Sequence, residues 1–375
     1  MSDPSGPVAF LFLGETLLVP HLWPIVEALA ALAPDVRQDV WVSTSVHEKM
    51  LLDWTAPLAN PRIRIRRAPG FRRTGQVTGF GPAPPAKLPM LARLVPHLLK
   101  SPVAVCAEQT SLWLPRLLPL RTRFIKTSHG VGSMSARDDP RRRAAWRMLV
   151  PSEAERATYL ERGFAPDRVA ATGYVKASFR QRTRTRPPFP EPRPVLLYAP
   201  HWQRHRSSWW DWGPEIVRRL AADTRWNLIL APHQRLAERA PDVRRVLAGV
   251  ADLPHVHVDL DGFACVDGSY TAAADLYLGD TSSQVIEFLA RPRPCVFLNS
   301  SNVAWGADPA YAQWRCGEVV GTLDDLFPAL DRAAGAHATY APVQARFAAA
   351  MLGDTGPEAP VRAARHVLEA LDAGR

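Results

Sequence analysis

Cysteine is scarce in this chain. Cys106, Cys265, Cys295 and Cys316 are the only four, and no two form a CxxC pair. That spacing excludes a thiol-built zinc site and a disulfide framework, and it fits a reducing compartment. Long apolar runs are missing as well. The most apolar stretch, residues 8–34, is broken by Glu15, His21 and Glu27, and the MSDPSG ahead of it has no positive n-region. Neither a signal peptide nor a membrane span is expected. Glycine-rich phosphate loops are a third absence. No GxGxxG or GxxxxGKS follows any apolar run, which removes the dinucleotide fingerprint and the Walker loop. No short-period repeat is visible.

What remains is a globular composition, 47% hydrophobic and 22% charged, in 375 residues. That length exceeds one ordinary core and suits two domains. The net charge of +10 is uneven. Residues 1–187 hold 28 Lys+Arg against 14 Asp+Glu, hence +14, and the remainder holds 18 against 22, hence −4. A basic first half fits an anionic partner: membrane headgroups, a phosphate-rich polymer or nucleic acid. Nucleic acid is set aside because no recognition motif accompanies the charge. Arg62, Arg64, Arg66, Arg72 and Arg73 in one segment and Arg141, Arg142, Arg143 and Arg147 in another are the expected basic face toward an anionic surface; the plain alternative is arginine as solvation.

Short apolar runs alternate with longer amphipathic segments. VAFLFLG precedes a helical pattern over residues 21–32, then DVWVSTS, a helix near residues 49–54, and RIRIRRA, whose period of two sets Arg62, Arg64 and Arg66 against Ile63 and Ile65. VAVCAE, RFIKTS, RMLVPS and RVAATG continue the series. The pattern breaks at RQRTRTRPPFPEPRP, a charged, proline-rich linker. It restarts with VLLYAP, NLILAP, VHVDL, ADLYLGD and RPCVFLN, and ends in an Ala-rich helical stretch interrupted near GDTGPEAP. Strands separated by helices imply parallel sheets covered on both faces, so the expected fold is two α/β domains in series.

In such sheets ligands sit beyond the carboxyl ends of the strands. Those ends carry Ser128-His129-Gly130 after FIKT, His201 after LLYAP, His233 after LILAP, and Asp280-Thr281-Ser282-Ser283 after DLYLG. The last group lies where a strand turns into a helix, so hydroxyls and free N–H groups suit a phosphate, with Glu287 one turn on for ribose hydroxyls. The same DTSS is also a good helix cap, the commoner role. HWQRH pairs His201 with His205 but lacks the Glu of HExxH, and HVH (His255, His257) has no third ligand. No metal site is expected from either. Trp209, Trp210 and Trp212 are expected in the core or at a domain seam.

The order SHG … LLYAPHW … LILAPHQ … DLYLGDTSSQVIEFLARPRPCVFLN, with VPSEAERATYLERGF…RVAATGY, resembles the CDP-glycerol glycerophosphotransferase family, the teichoic-acid primases and polymerases. The likeness spans roughly residues 124–299. It implies a GT-B fold, two Rossmann-like domains with parallel sheets facing across a cleft. Residues 1–180 would be the acceptor domain, 181–194 the linker, 195–345 the nucleotide-donor domain and 346–375 a helical segment. It implies transfer of a polyol-phosphate, such as glycerol phosphate, from a CDP-linked donor to a hydroxyl of a polymer or lipid-linked acceptor, with CMP leaving. It further implies a cytoplasmic protein, peripheral on an anionic membrane surface, needing no cofactor. His129 would be the general base. Ser128, Gly130, His201, His233, Asp280, Thr281, Ser282, Ser283 and Glu287 would hold substrate. The chain departs from the family at Ser128 (Trp there), at Ala231 (Arg there), at APHWQ (APTWR there) and at GYVKAS, and it lacks the Lys after His-Gly. A nucleotide-sugar glycosyltransferase and a non-catalytic binding protein of the same fold remain alternatives.

Overall fold

The computed structural model describes residues 6–73, 85–132, 135–136, 138–183 and 187–373. Residues 184–186 of the expected linker fall outside that set. Contacts divide the chain into two compact units. The first runs to Val131 and includes Ser135–Gln181 and the C-terminal stretch from Leu352; the second spans Arg182–Met351 and takes in Gly132.

In the first unit the apolar runs become β1 (Val8–Phe12), β2 (Gln38–Thr44), β3 (Ile63–Arg72), β4 (Val103–Cys106), β5 (Arg123–Thr127), β6 (Arg147–Val150) and β7 (Val169–Ala171). All pair in parallel, in the order β3-β2-β1-β4-β5-β6-β7. Every residue of β1, β2 and β4 is buried, as a parallel sheet covered on both faces requires. The edge strand β3 instead alternates, with Ile63 buried and Arg64 exposed.

The second unit repeats the scheme with β8 (Val195–Ala199), β9 (Asn227–Leu230), β10 (Val256–Val258), β11 (Leu276–Gly279), β12 (Cys295–Leu298) and β13 (Glu318–Val320). Its order is β10-β9-β8-β11-β12-β13, again all parallel. In both sheets the strand order reverses beside the first strand, between β1 and β4 and between β8 and β11. These are the switch points at which open α/β sheets bind ligands. Two elements escape the sequence pattern. Strand β13 is three residues long, too short to show a period. Helix Lys87–Leu98 carries Pro89 in its first turn, where N–H groups have no helical partner, and Pro96 inside its last turn.

The C-terminal stretch belongs to two helices. Leu326–Leu352 crosses the boundary expected at residue 345, and Glu358–Asp372 packs on helix Val19–Leu32 of the first unit. The second of these buries Ala359, Ala363, Ala364, Val367, Ala370 and Leu371, an apolar stripe at helical spacing.

The arginines expected as a free basic face are engaged locally. Arg141 pairs with Asp139 at 2.7 Å, and Arg143 with Asp138 at 2.9 Å and with the carbonyls of Arg162 and Gly163. Arg142 is buried and donates to the Ser135 carbonyl and the Tyr159 hydroxyl, while Arg147 pairs with Glu369. These side chains hold the loop before β6 in place and do not form a loose cationic surface.

Val367 is fully buried. Val367→Asp buries an unpaired carboxylate, and a loss of about 3 kcal/mol in unfolding free energy is expected. Arg365→Asp, on the exposed side of the same helix, is expected to stay within about 0.5 kcal/mol of the parent in urea titration.

Candidate functional site

In the first unit the chain leaves β5 through Ser128, His129 and Gly130. Gly130 has φ +79°, a left-handed conformation that glycine adopts without strain, and it turns the chain directly after the histidine. The His129 Nδ1 lies 2.7 Å from the Ala107 carbonyl. A carbonyl only accepts, so Nδ1 carries the proton and Nε2 keeps its lone pair. Desolvation, then the nearby Lys126 ammonium, lower the ring's pKa toward about 3. His129 reaches solvent, and the lowered pKa keeps its ring neutral at pH 7.

The surroundings explain how the loop is held. Ser152 caps helix Glu153–Glu161 by accepting from Glu155 N–H, a pattern that reads as a capping box. The Glu155 carboxylate does not return to the cap, however. It accepts from Ser128 Oγ at 3.3 Å and from Ser135 Oγ at 2.7 Å, tying both ends of the histidine loop. Lys126 is 1% exposed, donates to the Thr127 carbonyl, and has its pKa lowered to about 8, first by burial and then by Arg142. At the end of β1, Gly14 leaves room for a buried ion pair. A Cβ there would lie 2.9 Å from Glu108 Oε2, which sits 2.8 Å from Lys87 Nζ, and Ser111 donates to Oε1.

In the second unit β8 and β9 end in His201 and His233, with ring centroids 5.8 Å apart. Here the hydrogen bonds run the other way. His201 Nδ1 accepts from Gln203 N–H and His233 Nδ1 from Arg235 N–H, both at 3.2 Å. Both rings are therefore Nε2–H donors. Desolvation lowers their pKa values to about 4 and about 3, so they are neutral donors. Trp202 lies beside both rings and carries the guanidinium groups of Arg235 and Arg239 at 5.4 and 4.6 Å from its ring centroid.

The DTSS segment divides its labour. Asp280 is 1% exposed and accepts from His201 N–H at 2.8 Å and Ser208 N–H at 3.1 Å. Burial pushes its pKa up to about 7 although these hydrogen bonds act to lower it. Thr281 is also buried, donates to the Ala310 carbonyl at 2.6 Å and receives Gln313. Both residues, expected to touch substrate, turn inward and brace the strand-end loops. Ser282 Oγ caps its own helix by accepting from Gln284 N–H. Helix Ser283–Phe288 has only six residues, so its dipole is small. Ser283 and Glu287 stay partly exposed.

Ser128, His129 and Gly130 thus share one strand-end edge, and His201, His233 and residues 280–283 share another. Trp202 stands beside His201 at the strand end expected from the sequence, whereas Glu155, Lys87 and Glu108 were not singled out; the Ser-x-x-Glu spacing is the signal that could have found Glu155. The HVH pair separates, His255 bonding the Ala221 carbonyl and His257 the Tyr270 hydroxyl. Among the described residues no group of three or more His, Cys, Asp or Glu is arranged to hold a metal, and no helix is long and apolar enough to cross a membrane.

Two units in one chain, each a parallel sheet ordered 3-2-1-4-5-6 with a seventh strand added in the first, match the GT-B class of fold. No family model and no curated protein matches the sequence. Among solved structures, the wall teichoic acid polymerase TagF superposes with TM-score 0.65 at 13% identity, over 98% of this chain and 90% of that one. MnaA of S. aureus, solved with UDP, gives 0.63 at 15% over 98% and 97%. The UDP-GlcNAc 2-epimerase of Methanocaldococcus jannaschii gives 0.59 at 12% over 98% and 99%. The fold expected from the sequence is the one these chains share.

Two outcomes follow from this geometry. Asp280→Ala removes the acceptor for two N–H groups and should destabilise the second unit by about 3 kcal/mol in urea unfolding. The His201 and His233 rings should not titrate by NMR between pH 8 and pH 5.5. Because their folded pKa values lie below the unfolded one, the stability they contribute is full above about pH 6.5. It is lost as pH falls toward about 4.

Proposed function

We propose that this protein is a transferase that moves a polyol-phosphate group, glycerol phosphate or a close relative, from a CDP-linked donor to a hydroxyl of an envelope polymer or lipid-linked acceptor. It would work at the inner face of the cell membrane. The observation that carries the reading is the opposed tautomers of three neutral histidines. His129 presents a lone pair at Nε2, while His201 and His233 present N–H at Nε2.

A neutral Nε2 can take the proton of an acceptor hydroxyl as its oxygen attacks the distal phosphorus. General-base assistance of this kind is worth about 10²–10⁴-fold. The bond from that phosphorus to the bridging oxygen breaks, and CMP carries the charge away. Two Nε2–H donors, with Ser283 and the backbone at the start of its helix, would hold the pyrophosphate and offset the charge that grows on the leaving group. Trp202 and its two arginines would sit beside the same anion, and Glu287 is placed for ribose hydroxyls. Support also comes from TagF, whose structures include soaks with CDPG.

A second reading, a nucleotide-sugar enzyme, is favoured by the near-complete overlap with MnaA, whose structure holds UDP. A thermal-shift series with CDP, CMP, CDP-glycerol, UDP and GDP separates the two, since a ligand bound only by the folded state raises the midpoint. Cytidine nucleotides should raise it and UDP should not; the reverse order moves the assignment to the nucleotide sugar. His129→Ala should abolish transfer and leave the CDP shift intact, whereas His201→Ala with His233→Ala should remove the CDP shift. Retained transfer in His129→Ala would end its role as base.

A further inference from the structure

Three of the exposed leucines among the described residues come from two segments that meet at one edge of the first sheet. Leu99 is 63% exposed, Leu117 67% and Leu118 40%. They come from two segments that run side by side, because Thr122 Oγ1 donates to the Leu98 carbonyl at 2.8 Å and Arg123 N–H to the Pro102 carbonyl at 2.8 Å. Both segments lead directly into paired strands, β4 and β5. The leucines therefore sit at the amino-terminal edge of the first sheet, the end opposite His129.

Within residues 87–123 the exposed charge has one sign. Lys100, Arg116 and Arg121 are exposed, and none of them has an acidic partner among the described residues. Between residues 87 and 123 the only acidic residue is Glu108, which is buried and paired with Lys87. This contrasts with the Arg141–Arg143 stretch and with Arg67, whose guanidinium meets Glu48 at 2.7 Å. Exposed leucines rimmed by unpaired cations are unsuited to meeting a second copy of the same surface, because like charges would be brought together. They match an anionic bilayer, which accepts apolar side chains at the acyl boundary and cations at the headgroups.

We propose that this edge, Leu99, Lys100, Arg116, Leu117, Leu118 and Arg121, is the surface by which the protein docks on anionic lipid. It deepens the membrane-side reading above by naming the contact, and it can be tested without any turnover. Full-length protein is co-sedimented with phosphatidylcholine vesicles, with and without added phosphatidylglycerol, at low and high salt. The parent should bind only the anionic vesicles, and more weakly as salt shortens the screening length. Lys100→Ser with Arg116→Ser and Arg121→Ser should weaken that binding by about tenfold or more. Leu99→Ser with Leu117→Ser and Leu118→Ser should remove the part that resists salt. Arg62→Ser with Arg64→Ser, exposed at the start of β3, should change little, and circular dichroism checks that each variant is folded.

Equal binding to neutral and anionic vesicles overturns the proposal, as does unchanged binding in the triple cation variant. A shift of the effect to the β3 pair overturns it too. So does a concentration-dependent dimer that the leucine variant abolishes, since the patch would then be a contact between copies. The CDP thermal shift is run on the same samples. Vesicle binding without that shift sinks the transferase reading and leaves the docking surface standing; the shift without vesicle binding does the opposite.

Discussion

A parallel sheet buried on both faces can offer chemistry only where its strands end. In both units the strands are filled with apolar side chains, so the polar functions gather in the loops that follow them. Loops do not hold a geometry unaided, and here each depends on a carboxylate taken out of water. Asp280 receives backbone N–H groups of the loop after β8, and Glu155 receives hydroxyls at the two ends of the loop after β5. Burial opposes ionisation of both groups. Each persists because the donors aimed at it would otherwise be left without partners.

The second constraint is the direction of a single hydrogen bond at each histidine. Residue type is identical at positions 129, 201 and 233, and burial lowers the pKa of all three rings. What separates them is whether Nδ1 meets a carbonyl or an amide. A carbonyl at His129 leaves a lone pair on the far nitrogen, and an amide at His201 and His233 leaves a proton there. The proposed division between proton acceptor and phosphate holder rests on that difference.

Much of this was legible in the sequence, and the limits have physical causes. VAFLF, VLLYA and LYLG read as buried strands because an uninterrupted apolar run has few other homes. The placing of His129, His201 and His233 at strand ends followed from the same pattern. The inward turn of Asp280 and Thr281 was not legible, because a DTSS at a strand-helix junction is compatible with either orientation and only the neighbouring loop decides. The Arg141–Arg143 run misled for a related reason. Composition counts charges without reporting which already have partners, and Asp138 and Asp139 stand directly ahead of it. Glu155 was hidden behind a capping pattern that it satisfies with its backbone alone.

The polarity of β5 carries one more consequence. Its five residues separate Arg121 and Thr122 at one end from Ser128 and His129 at the other, roughly 17 Å of extended chain at about 3.3 Å per residue. If the lower end rests on a bilayer, the upper end stands well clear of the headgroups. An acceptor rooted in lipid would then need a stem of that length before its terminal hydroxyl met the histidine. Such a protein would ignore bare lipid and extend only chains already begun, so strand length would act as a ruler for the shortest primer.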